Sequence, residues 1–188
     1  MTLLLYPGAG SDSSHSSFDA IERSIAPHRC IRADFEYRKQ GRRAPDRAPK
    51  LLAEIRHELA SLPDDEPIVM GGRSMGGRMC SMIAAGVDEV PAPSNLKGLV
   101  LISYPLHPSG KPDRLRVEHL PLINVPTLFI SGTRDSFATP DELRTWTATM
   151  PKRAKVLHLF IERAGHDLRG ADHTIGGAVK DFVDSLIR

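Results

Sequence analysis

Short apolar runs of strand length recur along the chain at residues 3–6, 30–35, 67–70, 96–103, 126–131 and 155–161, each followed by Gly, Pro, Asp or Ser. Between them lie helix-length stretches with apolar residues three and four apart, at residues 18–25, 49–62, 75–85, 140–150 and 174–187. The pattern predicts alternating strands and helices. Two strand runs, Leu99-Val100-Leu101-Ile102 and Thr127-Leu128-Phe129-Ile130, are continuously apolar rather than alternating, as strands covered by helices on both faces must be. The fold class that follows is α/β: a doubly wound, mainly parallel six-stranded sheet with helices on both faces. In such a sheet the right-handed crossovers bring every strand-to-helix loop to one carboxyl edge, so functional groups are expected there.

The 188 residues, 40% of them hydrophobic, suit one compact domain, residues 1–188. A formal charge of +2 gives no global footprint of a nucleic-acid or membrane-surface binder, so charge must act locally. The two cysteines, Cys30 and Cys80, have neither C-x-x-C nor metal-ligand spacing and are expected to be reduced, buried and inert; no metal and no cofactor is implied. The first residues, Met1-Thr2-Leu3-Leu4-Leu5-Tyr6-Pro7-Gly8, lack the basic start, apolar length and cleavage site of a secretory signal, so a cytoplasmic location is expected. No stretch approaches the roughly 20 apolar residues that cross a bilayer.

The sharpest chemical signal is Gly71-Gly72-Arg73-Ser74-Met75-Gly76-Gly77, lying between a predicted strand and a predicted helix. Gly72, Ser74 and Gly76 make Gly-x-Ser-x-Gly, the pattern of a nucleophile elbow, where the strand turns into the helix so tightly that neighbours two residues away must lack bulk. The turn projects the Ser74 hydroxyl from the sheet edge and points the Met75 N–H toward a developing oxyanion. The plainer alternative is a glycine-rich turn whose serine caps the helix. A phosphate-binding turn fits less well, because the Lys-Ser/Thr ending of the P-loop is missing.

A serine is a weak nucleophile without a base and an orienting acid, expected in the chain order Ser, Asp/Glu, His. Asp135, in Ser131-Gly132-Thr133-Arg134-Asp135, follows the fifth strand run, and His166, in Arg163-Ala164-Gly165-His166-Asp167, follows the last. Both therefore belong to carboxyl-edge loops. Their rivals sit less well: His158 lies inside a strand, His173 opens the last helix and His28 precedes a strand. Asp141 and Glu142 read as first-turn helix residues, Asp167 adjoins the histidine, and Glu162 is the reserve for the acid. The second oxyanion donor should come from the loop after the first strand, Pro7-Gly8-Ala9-Gly10-Ser11, with Ala9 as the candidate.

With these residues in place, the chain resembles the α/β-hydrolase superfamily, and more narrowly its dienelactone-hydrolase-like group with testis-expressed and chromatin-complex relatives. The resemblance is carried by the Gly8-Ala9-Gly10 loop, Asp34-Phe35-Glu36-Tyr37 leading to Gly41-Arg42-Arg43-Ala44-Pro45, Gly72-Arg73-Ser74-Met75-Gly76, Tyr104-Pro105-Leu106-His107-Pro108, Gly132-Thr133-Arg134-Asp135 and Gly165-His166. It implies acyl transfer to water: Ser74 attacks a carbonyl, His166 takes its proton, Asp135 holds the imidazole, and Met75 with Ala9 receives the oxyanion. The substrate class implied is a small-molecule ester or thioester. In that family's terms the chain starts at the third strand, leaving the first sheet edge exposed or covered by a partner, a second copy included. Pro7 stands where many members have histidine.

Substrate-binding expectations are coarser. The loop Tyr37-Arg38-Lys39-Gln40-Gly41-Arg42-Arg43-Ala44-Pro45-Asp46-Arg47 concentrates positive charge at the presumed active edge; Arg42 and Arg43 either attract an anionic group or serve as solvated surface. Residues 104–124 are too short for a helical cap domain, so an open pocket is expected, with Tyr104 and His107 either lining it or belonging to a proline-rich loop folded over the edge. Two functions of different class remain at this point. One is a serine hydrolase, and the other a catalytically silent scaffold that binds a protein partner.

Overall fold

A computed structural model describes residues 1–187. The strands are β1 (Thr2–Tyr6), β2 (Arg29–Arg32), β3 (Ile68–Arg73), β4 (Leu96–Ile102), β5 (Thr127–Gly132) and β6 (Val156–Ile161), and every adjacent pair is parallel, in the order β2-β1-β3-β4-β5-β6. The helices are α1 (Ser16–Ser24), α2 (Glu36–Lys39), α3 (Ala48–Ala60), α4 (Met75–Ala84), α5 (Pro140–Thr147) and α6 (Asp172–Ser185).

Side-chain alternation divides the core between the two faces of the sheet. Leu3 and Leu5 of β1 face α1 and α6, where Phe18, Ile21, Ile175, Val179 and Phe182 are buried. Leu4 and Tyr6 face the opposite layer, with Leu52 and Ile55 of α3, Met79 and Ile83 of α4 and Leu143 of α5. Each such side chain contributes about 1.5–3 kcal/mol by leaving water, which is why the strands need no polar face.

Helix starts follow local chemistry. The His15 ring accepts the Ser17 N–H ahead of α1, and Thr139 with Glu142 forms a reciprocal capping box at α5, whose first residue is Pro140.

One segment differs from the sequence reading, and of the two cysteines Cys80 is buried as expected while Cys30, on β2, is only partly so. The second strand stops at Arg32 rather than continuing to Phe35; the Ala33 N–H still reaches the Leu5 carbonyl, and Phe35 then opens the single-turn helix α2. Such a turn is too short to leave a periodic signal. The chain between β4 and β5 contains, among the described residues, only a 3-10 turn at Leu120–Leu122, so no cap domain covers the sheet edge. The outer strand β2 carries Arg29 and Arg32, and Arg32 pairs with Asp19 and Glu22, which blunts that edge. No helix among the described residues is long and apolar enough to cross a membrane.

Candidate active site

The site is built at the carboxyl ends of the central strands. β3 runs into α4 through Ser74 alone, which adopts φ 47° and ψ −115°, a conformation that costs a non-glycine residue of order 1–3 kcal/mol. The crowding around this turn explains the flanking glycines. A Cβ at Gly72 would sit 2.1 Å from the Tyr6 carbonyl oxygen, and one at Gly76 2.3 Å from the same atom, so the end of β1 lies directly against the turn. Any side chain there would push β1 and α4 apart.

The strain directs the Ser74 hydroxyl toward His166, which arrives from the loop after β6. The hydroxyl lies 2.9 Å from Nε2 of His166, whose Nδ1 lies 2.9 and 2.8 Å from Oδ1 and Oδ2 of Asp135. A neutral ring carrying its proton on Nδ1 satisfies the whole chain: Nδ1–H donates to the carboxylate, and Nε2 accepts from the serine. Asp135 is 2% exposed, and its Oδ1 also accepts the backbone N–H of Phe137, so its orientation is fixed from two sides. The Phe137 ring leans over the imidazole, with 4.2 Å between ring centroids.

Ser74 and His166 open onto a cleft of about 460 Å3, lined also by Gly8, Ala9, Gly10, Arg73, Phe137 and Asp167. Ala9 thus lines the same cleft as the serine. Its loop is pinned by the buried Tyr37, whose hydroxyl donates to the Ala9 carbonyl at 2.9 Å. Met75 is the first residue of α4, where a backbone N–H has no carbonyl one turn earlier within the helix.

Arg73 ends β3 and is 6% exposed, with a guanidinium that donates to the backbone carbonyls of His166 and Asp167 at 3.2 and 3.1 Å. Ser103, just past β4 at φ 51°, donates to the same His166 carbonyl at 2.7 Å. Burial lowers the Arg73 pKa, an effect opposed by the charges of Asp172, Asp167 and Asp135.

Four expected binding residues are not brought to the cleft. Tyr104 is 0% exposed and points inward, its hydroxyl 2.9 Å from Ser81 Oγ and 3.0 Å from His119 Nε2. It belongs to the core, because the chain turns at Ser103 and sends the next side chain beneath the loop. His107 is 4% exposed, its Nδ1–H donating to the Pro108 carbonyl and its Nε2 lying 3.4 Å from Glu142 on α5. Arg42 is exposed and engaged by Asp46 of its own loop through contacts of 3.0 and 2.8 Å. Arg43 is likewise exposed, and neither arginine lines the cleft.

The sequence reading missed Tyr37, Arg73, Ser103 and Phe137. Only Phe137 left a usable signal, a lone aromatic in the turn after a strand at the active edge. Among the described residues no group of three or more His, Cys, Asp or Glu side chains converges to hold a metal ion.

Comparison with known proteins agrees with this architecture. The alpha/beta hydrolase domain family matches residues 1–183. The chain belongs to the alpha/beta hydrolase family.

Solved structures of diverse names share its fold. A monoacylglycerol lipase from Paleococcus ferrophilus superposes with a TM-score of 0.77 at 15% identity, covering 98% of this chain and 94% of that one. An alpha-beta serine hydrolase homologue from Coxiella burnetii gives 0.77 at 12% identity, with 97% and 85% covered. Est1E from Butyrivibrio proteoclasticus gives 0.75 at 15% identity, with 99% and 88% covered. At these identities the likeness speaks to the alpha/beta hydrolase fold, and the chemistry has to be argued from the site.

Proposed function

We propose that this alpha/beta hydrolase is a serine esterase that transfers the acyl group of a small carboxylic ester to water. The observation that carries the reading is the unbroken hydrogen-bond chain Ser74–His166–Asp135, opening on a cleft with no cap domain over it. Ser74 Oγ attacks the ester carbonyl as its proton passes to Nε2 of His166. The carbonyl oxygen becomes an oxyanion, received by the N–H groups of Met75 and Ala9. Collapse of the tetrahedral species breaks the carbon–oxygen bond to the alcohol, which leaves with the proton held by His166. Water then gives a proton to the same nitrogen and attacks the acyl-serine, and its collapse returns the proton to Ser74 and releases the acid.

Throughout, Asp135 keeps Nε2 aimed at the serine and stabilises the transient imidazolium. Nucleophile, base, acid and oxyanion donors all come from the chain, so the reaction calls for no cofactor. The names lipase and serine hydrolase among the structural neighbours are compatible with ester chemistry. The narrower kinship with dienelactone-hydrolase-like proteins rests on the sequence motifs alone.

Pre-steady-state hydrolysis of p-nitrophenyl butyrate tests the reading. The native chain should release a burst of p-nitrophenol equal to the enzyme concentration and then turn over, and Ser74→Ala should abolish both phases. Undiminished turnover by Ser74→Ala would remove the serine from the mechanism, and no turnover by the native chain on any of a panel of esters and thioesters would favour a binding scaffold.

A further inference from the structure

The base of a hydrolase must return to the same place after each proton transfer, yet His166 is carried on the loop between β6 and α6, not on a strand. What fixes that loop is its own backbone. The His166 carbonyl accepts from Arg73 at 3.2 Å and from Ser103 at 2.7 Å, using both lone pairs, and the neighbouring Asp167 carbonyl accepts from Arg73 at 3.1 Å. Arg73 is covalently bound to the nucleophile. Ser103 belongs to the adjacent strand end, since its N–H donates to Ile130 of β5 while the Ser74 N–H donates to Ile102 of β4. Nucleophile and base are thus joined twice, through the reacting hydrogen bond and through the Arg73 side chain behind it.

Stability gives little reason for an arginine here. Its guanidinium is buried, its partners are neutral carbonyls, and Nη1 has no hydrogen-bond partner. Among the described residues no carboxylate lies within ion-pair distance of it. A buried cation held in this way is costly to desolvate, a cost that the charges of Asp172, Asp167 and Asp135 offset only in part, and an unbranched apolar side chain of similar length would fill the space without it.

Resting on the esterase reading, we infer that Arg73 is a positioning residue: it fixes the backbone of the His166 loop relative to Ser74 and so sets the nucleophile-to-base distance, with Ser103 as the second clamp. The role is orientational, although Arg73 also borders the cleft, and an unchanged KM is what separates positioning from substrate binding. Loss of the clamp lets the imidazole drift, and a displacement of about 1 Å at a reacting pair is worth up to about 100-fold in rate.

The test compares Arg73→Met and Arg73→Lys with the native chain by thermal unfolding, by kcat and KM on p-nitrophenyl butyrate, and by the low-field proton resonance of the His166 Nδ1–H. That resonance reports the Asp135–His166 bond whether or not ester is turned over, which separates failure of this inference from failure of the esterase reading. Arg73→Met is expected to melt at or above the native temperature while kcat falls about 10- to 100-fold, KM stays within about 2-fold, and the resonance broadens or vanishes. Arg73→Lys, which keeps one donor, should recover part of both. A native-like resonance with unchanged kcat in Arg73→Met would overturn the inference. So would a lowered melting temperature with an unchanged resonance and unchanged kcat per correctly folded molecule, since Arg73 would then act on the fold alone.

Discussion

Two serine–histidine contacts lie about two turns apart on the same helix, and they sit in very different surroundings. At the amino end of α4, Ser74 Oγ lies 2.9 Å from His166 Nε2; within the helix, Ser81 Oγ lies 2.8 Å from His119 Nε2. By distance alone the two pairs are equivalent. The surroundings separate them. Ser74 is held at a positive φ and borders the cleft, and its histidine is backed by a buried carboxylate. Ser81 sits in regular helix, donates to the Arg78 carbonyl of the preceding turn, and accepts from Tyr104 and His119 in a fully enclosed cluster. Its hydroxyl proton is committed to the backbone, and among the described residues no carboxylate is hydrogen-bonded to the imidazole. Burial pushes His119 down to about 4, the wrong direction for a base that must take up a proton near neutrality. On the esterase reading, strain, access and an acid mark Ser74 as the nucleophile; Ser81, lacking all three, fastens the 104–124 segment to α4.

The contrast breaks most visibly in kinetics. Ser74→Ala should lower kcat on the order of 10^4-fold or more, and His166→Ala by a similar factor, with the double variant no worse than either, because the members of such a unit act together. Ser81→Ala and His119→Gln should leave kcat within a few-fold. Steady-state rates on one activated ester check all of these. Asp135→Asn should follow with a loss of about 10^2- to 10^4-fold, from an imidazole held in the wrong tautomer, while its melting temperature stays near native.

The buried pair should show itself in stability instead. His119 stays neutral in the folded chain down to about 4, whereas its ordinary value, 6.5, applies once the chain unfolds. Between those values the unfolded state binds the extra proton, so stability falls as pH drops through that window, with a ceiling of about 3 kcal/mol. His15 and His158 are lowered in the same sense by burial and add to it. Urea unfolding from pH 7 to pH 4 should therefore lose less stability in His119→Gln than in the native chain. Ser81→Ala, which strips Tyr104 and His119 of a shared partner, should cost about 1–3 kcal/mol at pH 7 by the same measurement.

How much of this was legible in the sequence depends on whether a feature is written in periodicity or in side-chain direction. The six strand runs and the loops that follow them are periodic, and so the arrival of Asp135 and His166 at one edge could be anticipated from strand order. The Gly72 and Gly76 positions were legible as well, because a turn pressed against the Tyr6 carbonyl excludes every other residue.

Direction is another matter. Tyr104 follows β4 as a pocket residue would, yet a single positive φ at Ser103 turns it into the core. From the sequence Arg42 either draws an anionic group or serves as solvated surface, and the partner that engages it, Asp46, four residues on, goes unnoticed. His119 and Arg73 carry no pattern that separates them from any surface histidine or from any residue that could stand second in Gly-x-Ser-x-Gly. Their roles come from contacts 38 and 93 residues away in the chain, which no local window contains.

The most direct test of the central claim is the site of covalent capture. A fluorophosphonate should be offered to the native chain and the modified peptide mapped by mass spectrometry. The account predicts one phosphonyl group per chain, on Ser74, absent from Ser74→Ala and unaffected by Ser81→Ala. A label on Ser81, or equal labelling of the native chain and Ser74→Ala, would contradict it.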